Sequence, residues 1–400
     1  MIRKLSLLLL FILLLLPVVG CWSRKELNDL AIVVGMGIDK KDNIYKVSIQ
    51  IVNPEQLVGS KAIGDRPPVI VFESSAVSVS EALRDVITKI SRKPYFSHLR
   101  LLTIGENLAR EGMGQALDFV SRNQEFRSDF AIVIIKGGEA KDALLVLTPL
   151  EKIPANKLFL SLQKSQDEWA PTRLTAIDEL INDLIKEGKQ PVVAGAMEIG
   201  SKQAPDTNKI IQHIEPTNVV KFVGLSVFKG DKLIGWLNKE DSKGYNYILN
   251  HVHQTVGHID CPRGGTLSLE SLRTNAKIKA TVIRGTPRIH VDLEGESNIV
   301  EVNCHIDLTK PENIREIEEI SSQTLKERME GVIHKVQRKY KSDIFGFGEA
   351  IYRAHPNVWS KLSKDWDDHF ANLEVDVSVA IKVRRSGTIS NSFTNEIKKE

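Results

Sequence analysis

The chain has 400 residues, a formal charge of +3 from 54 basic and 51 acidic side chains, and three cysteines. Basic residues interleaved with nearly as many acids exclude a polyanion-binding stripe, so no nucleic-acid partner is predicted. The length exceeds one hydrophobic core and predicts two or three domains, each able to fold without disulfide staples.

Residues 5–16 form an apolar run behind Arg3 and Lys4, followed by Pro17-Val18-Val19-Gly20 and then Cys21. The run has signal-peptide length and falls short of the ~20 apolar residues of a spanning helix. A cysteine directly after small residues resembles the lipobox of bacterial lipoproteins. That resemblance implies a signal peptide over 1–20, cleavage before Cys21, and a diacylglyceryl group on that cysteine. Val18 stands where the motif more often has Leu. Cleavage removes Arg3 and Lys4 and no acid, leaving a formal +1. No second apolar run of spanning length follows, which predicts one body on one side of a membrane.

Residues 30–38 and 45–52 read as strands joined by a hairpin over 39–43, and 69–72 as a third short strand. Ser78 or Ser80 is positioned to cap a helix with Val79, Leu83, Val86, Ile87 and Ile90 on one face, ending before Pro94. Strands over 99–104 and 131–135, with short helices over 112–120 and 140–147, extend an α/β alternation. Residues 149–188 read as helices alone, over 156–164 and 172–186, which predicts a helical insert or subdomain. A strand over 192–199 closes an N-terminal region spanning 21–199, and the polar stretch 200–217 reads as a linker.

The C-terminal domain is predicted over 218–385, with a polar tail over 386–400. Residues 219–228 and 233–237 form a hairpin turning at Gly230, and further strands follow over 266–269, 275–283, 288–293 and 299–306. After Pro311 a stripe of Ile314, Ile317, Ile320, Leu325, Met329, Val332, Val336 and Tyr340 predicts one long amphipathic helix. A last strand covers 373–383. The fold class is therefore α+β: an elongated, multidomain chain with an N-terminal α/β region and a mostly antiparallel C-terminal sheet packed with one long helix.

His251, His253, His258 and Cys261 crowd together, and a tetrahedral zinc set is one reading of them. Their spacing matches no standard finger, and polar strand residues are the other reading. Cys261 and Cys304 read either as a bridge or as two buried thiols, because spacing does not fix their Cα separation. No nucleophile elbow, phosphate loop or catalytic constellation is present, so no enzyme activity, metal or cofactor is predicted. Gly35-Met36-Gly37 lacks the third glycine of a dinucleotide fingerprint. Aromatics concentrate over 345–370, where Phe345, Phe347, Trp359 and Trp366 are candidates for structural packing or for partner contact.

The sequence Gly20-Cys21-Trp22-Ser23-Arg24-Lys25-Glu26-Leu27, running on to Gly37-Ile38-Asp39, resembles the lipoprotein C subunits of spore germinant receptors, the Ger(x)C family. The likeness continues through Phe96-Ser97-His98-Leu99, Ile104-Gly105-Glu106, Arg122 and Arg127. It covers nearly the whole mature chain, with Val223-Gly224-Leu225, Asp231-Lys232-Leu233-Ile234-Gly235-Trp236, Asp343-Ile344-Phe345-Gly346-Phe347-Gly348 and the 359–370 segment. Glu240-Asp241-Ser242-Lys243-Gly244 departs locally from the family pattern. The resemblance implies a non-enzymatic subunit, lipid-anchored on the outer face of the spore inner membrane beside two integral membrane subunits, that serves nutrient-triggered germination. A solute-binding lipoprotein of a transporter is the alternative; it requires two similar lobes closing on a pocket.

Overall fold

The computed structural model describes residues 3–4, 29–56, 66–146, 150–200 and 218–385. Strands β1 (Leu30–Lys41) and β2 (Ile44–Val52) form the expected hairpin, turning at Asp42 and Asn43 with φ of 51° and 62°. Short polar side chains tolerate the left-handed region that a two-residue hairpin turn needs. β3 (Val69–Ala76) pairs antiparallel with β2, and helix α1 (Val79–Ile87) is capped by the Ser78 hydroxyl, which accepts from the Glu81 N–H. β4 (Lys93–Tyr95) runs parallel to the start of β1. The alternation continues as β5 (Leu101–Gly105), α2 (Glu106–Glu111), α3 (Gly114–Arg122), β6 (Ala131–Ile135), α4 (Asp142–Leu145), α5 (Pro154–Glu168), α6 (Ile177–Ile185) and β7 (Val192–Gly200).

β1, β5, β6 and β7 are parallel neighbours, and β5 and β6 are buried at every residue. Burial on both faces explains why these two strands read as near-continuous apolar runs instead of alternating. Ile132 and Ile134 of β6 pack with α1, α3 and α6, whereas Ala131, Val133 and Ile135 pack with α4 and α5 on the opposite face. Residues 149–188, expected as a helical insert, thus give one helix to each face. The buried Gln50 of β2 fixes two elements at once: its Oε1 accepts from the Ala155 N–H at the start of α5, and its Nε2 donates to the Leu144 carbonyl.

The expected linker lies outside the described residues over 201–217. On its far side, β8 (Asn218–Lys229) and β9 (Lys232–Leu237) pair antiparallel onto β7 and complete a nine-stranded sheet, ordered β3-β2-β1-β5-β6-β7-β8-β9 with β4 beside β1. A second, four-stranded sheet contains β10 (Thr255–Asp260), β11 (Thr266–Ile283), β12 (Thr286–Asn303) and β13 (Glu374–Arg385). Two of its pairings are antiparallel, and β13 runs parallel to β12. β11 and β12 are single 18-residue strands where shorter ones are expected, because the pairing runs on past Ser271, Gly295 and Ser297 through two register shifts, after Ser268 and after Ser271.

Helix α7 (Lys239–Ile248) precedes this sheet and is absent from the strand-and-turn reading of the sequence. It starts in a capping box: the Asp241 N–H donates to the Asn238 side chain and the Asn238 N–H to the Asp241 carboxylate. α8 (Pro311–Lys335) spans 25 residues, or about 37 Å, and continues into a π-turn (Val336–Tyr340). Its Leu325, Met329 and Val332, with Val336 of the π-turn, share a core with Ile289, Leu293 and Ile381 of the sheet. Val192, Leu225, Val227 and Leu237 of β7 to β9 join that same core, so the two sheets are packed through common side chains. Three short helices, α9 (Phe347–Ala354), α10 (Pro356–Leu362) and α11 (Trp366–Ala371), return the chain to β13.

Candidate functional site

The residues that stand out in the sequence converge on the junction between the sheets. Asp343, 1% exposed, follows the π-turn and faces the start of α9. Its Oδ1 accepts from the N–H groups of Phe345 (3.1 Å), Gly346 (2.9 Å) and Phe347 (3.2 Å). Its Oδ2 accepts from the Gly348 N–H at 2.8 Å and from Trp366 Nε1 at 3.1 Å. A helix start leaves its first N–H groups without intrahelical partners, and one carboxylate meets several of them here. Burial pushes the Asp343 carboxyl up to about 6, against the lowering effect of these donors. Gly346 supplies the positive φ (74°) that folds the loop around the carboxylate.

The loop after α6 docks on this unit. The Gln190 N–H donates to the Asp343 carbonyl at 2.7 Å, and the Glu349 N–H to the Gly188 carbonyl at 3.2 Å. Trp359 Nε1 donates to Glu187 Oε2 at 2.9 Å, and Lys186 pairs with Glu349 at 3.4 Å. Gly188 has φ of 73°, and a Cβ on it would lie 2.6 Å from the Gly348 backbone and 2.7 Å from the Trp359 ring. Phe345 (2% exposed), Phe347 (0%), Trp359 (3%) and Trp366 (7%) are all inside the chain. Phe345 stacks on Phe347 at 5.1 Å, and Trp359 meets Trp366 edge-on at 5.1 Å.

A buried polar cluster adjoins the aromatics, and the sequence pattern gives no sign of it. Arg173 donates to the Tyr245 hydroxyl at 3.3 Å and to Glu179, and Lys189 pairs with Asp183 at 2.8 Å. The Asn246 amide donates to the carbonyls of Ala170 (2.8 Å) and Thr172 (3.1 Å). His251 Nδ1 is buried without a hydrogen-bond partner among the described residues. Burial, with the Arg173 and Lys189 charges adding to it, pushes the His251 imidazole down to about 3.

Other residues that carry the family likeness serve as latches between elements. Asp39 accepts from the Ala140 N–H with both oxygens at 2.9 Å. Asp231 accepts the Gly114 N–H at 2.9 Å. A Cβ at Gly235 would lie 2.2 Å from the Tyr340 ring, whose hydroxyl donates to the Trp236 carbonyl at 2.8 Å. In the locally departing stretch, Ser242 accepts the Leu225 N–H at 3.1 Å and Gly244 allows α7 close to Val332.

The zinc reading of the histidine-rich stretch fails on the structure. Cys261 is disulfide-bonded to Cys304, with Cα atoms 6.4 Å apart, so its sulfur is no free thiolate. His251 and His253 precede β10 and do not share a strand face. Among the described residues no group of three His, Cys, Asp or Glu could hold a metal ion, and no helix is long and apolar enough to cross a membrane. Cys21 lies outside the described residues.

Fold and junction together define a class: a two-sheet α+β protein whose distinctive side chains hold its own elements together. The comparisons narrow that class. Residues 23–196 match the spore germination protein N-terminal domain, and residues 223–387 match the C-terminal model of the spore germination B3/GerAC-like proteins. The chain is 32% identical to spore germination protein KC of Bacillus subtilis (strain 168), over all of both chains. It is 27% identical to the putative spore germination protein YfkR of the same organism, covering 94% of this chain and 95% of that one. The crystal structure of the GerBC protein shares the fold, with a TM-score of 0.54 and 19% identity over 87% of this chain and 96% of that chain. The chain belongs to the GerAC-like family of spore germination proteins.

Proposed function

We propose that this germination protein is the lipid-anchored, non-enzymatic subunit of a nutrient germinant receptor. Diacylglyceryl on Cys21 holds it on the outer face of the spore inner membrane, where it assembles with two integral membrane subunits. The observation that carries the reading is the end-to-end similarity to spore germination protein KC, together with the lipobox-like sequence at Cys21. Two acyl chains give stable anchoring where one is marginal. Phe345, Phe347, Trp359 and Trp366 act as packing residues that keep the junction rigid for its partners. The limits of the two matched segments support a boundary over 200–217, between an N-terminal region over 21–199 and a C-terminal domain over 218–385. That boundary divides the sequence while the first sheet is paired across it. A transporter's solute-binding lipoprotein calls for two similar lobes, and a nine-stranded mixed sheet beside a four-stranded one does not supply them.

Pull-down of the tagged chain from spore membranes in mild detergent is expected to recover two integral membrane proteins. Recovery of neither overturns the receptor assignment. Labelled palmitate is expected on the wild-type chain and absent from Cys21→Ala; equal label on both removes the anchor from Cys21.

A further inference from the structure

A groove of about 570 Å³ opens between α1 and α3 on the first sheet's side of the molecule, in the size range of small-ligand sites. Its floor is apolar: Leu83 and Phe96 are buried, Phe119 is half-buried, and Ile87 remains 41% exposed. Cations stand on its rim, Arg84 and Arg122 from the two helices and Lys93 from β4. Among the described residues Glu125 is the one acid of the lining. Lys93 pairs with Glu125 at 3.1 Å and Arg122 with Asp118 at 2.8 Å, all four side chains being well exposed. Exposed pairs of this kind contribute little, so both cations are readily drawn to a stronger anion. A guanidinium fork matches the geometry of a phosphate in particular.

The location selects among anions. β4, which forms a wall of the groove, is paired with the first residues of β1, Leu30 with Lys93 and Ala31 with Pro94. Leu30 follows Cys21 by nine steps along the chain, whose greatest possible reach keeps that wall within about 30 Å of the lipidated cysteine. A cationic rim over an apolar floor, held this close to a bilayer, suits a ligand with a phosphate at one end and hydrocarbon at the other. We propose that the α1–α3 groove binds the headgroup of an anionic phospholipid of the membrane to which the chain is tethered. The inference rests on the anchor reading of Cys21 for its choice of ligand. Headgroup capture would give the first sheet a second point of attachment and so orient it on the membrane, which an anchor at Cys21 alone does not do.

The test is calorimetric titration of the purified chain with dihexanoyl phosphatidylglycerol below its micelle concentration, compared with dihexanoyl phosphatidylcholine and inorganic phosphate. The phosphatidylglycerol is expected to bind about tenfold more tightly than either, and Arg84→Gln/Arg122→Gln is expected to lose about tenfold in affinity with an unchanged melting temperature. Equal affinity for the two lipids, or an undiminished double variant, overturns the proposal. Phosphate binding as tightly as the lipid assigns the groove to a free anion and overturns the lipid source. Because a water-soluble lipid needs no anchor, failure here leaves palmitate labelling at Cys21 as a separate result.

Discussion

Asp343 accepts five N–H bonds inside the junction. Asp343→Ala is therefore expected to cost at least about 3 kcal/mol, since several buried donors lose their acceptor at once. Urea denaturation checks this; a loss under about 1 kcal/mol would mean that water replaces the carboxylate. His251 gives the opposite kind of test, because it is held neutral. The unfolded imidazole takes a proton below about 6.5, while the folded one, pushed down to about 3, does not until far lower. Between those values the unfolded state binds the extra proton, so this group lowers stability as the pH falls and has no such effect above about 7. Relative to wild type, His251→Gln is expected to gain about 2 kcal/mol between pH 8 and pH 5. Paired denaturation curves at the two pH values measure it, and a pH-independent difference would show that His251 is solvated in the native state.

At the scale of elements, the disulfide between Cys261 and Cys304 closes a loop of 43 residues around β11 and β12. Chain-entropy arguments give such a loop about 4 kcal/mol of stabilisation. Reduction by dithiothreitol is expected to lower stability by that amount in wild type and to leave Cys261→Ser/Cys304→Ser unaffected; wild type equally stable with and without dithiothreitol would show that the bond adds nothing to stability. Elements with a strong local signal are legible in the residues themselves: the Asp42-Asn43 turn, the Ser78 cap, the buried runs of β5 and β6, and the stripe of α8. α7 is not, because Ser242, Gly244, Asn246 and two tyrosines are indifferent helix formers held by tertiary contacts. Only its Asn238-x-x-Asp241 capping pattern marks it locally. The length of β11 and β12 is hidden for a related reason, since Gly295 and Ser297 read as breaks until a partner strand continues past them.

For the whole molecule, the packing between sheets is the least legible feature, because it joins side chains far apart in sequence. Asp343 and the aromatic cluster are visible as a composition anomaly, but Gly188, Arg173 and Tyr245 give no local signal of their role. These distant residues make the two sheets one mechanical body: β7 to β9 share the second core, and the 186–190 loop is clamped by Asp343, Glu349 and Trp359. A chain coupled in this way unfolds as a unit, while one with a loosened clamp releases one sheet before the other. Gly188→Ala tests the coupling with a single methyl group. Its φ of 73° is costly for alanine by about 1–2 kcal/mol, and its Cβ would also press on the Gly348 backbone at 2.6 Å. The loop must withdraw from α9 to clear it, which also breaks the Glu349 to Gly188 hydrogen bond. In urea, far-ultraviolet circular dichroism and tryptophan fluorescence are expected to report coincident transitions for wild type. For Gly188→Ala the fluorescence transition, to which Trp359 and Trp366 at the junction contribute two of the five tryptophans, is expected to fall to lower urea and separate from the other. Coincident, unshifted transitions in the variant would show that the shared core alone couples the sheets and that the 186–190 clamp is incidental.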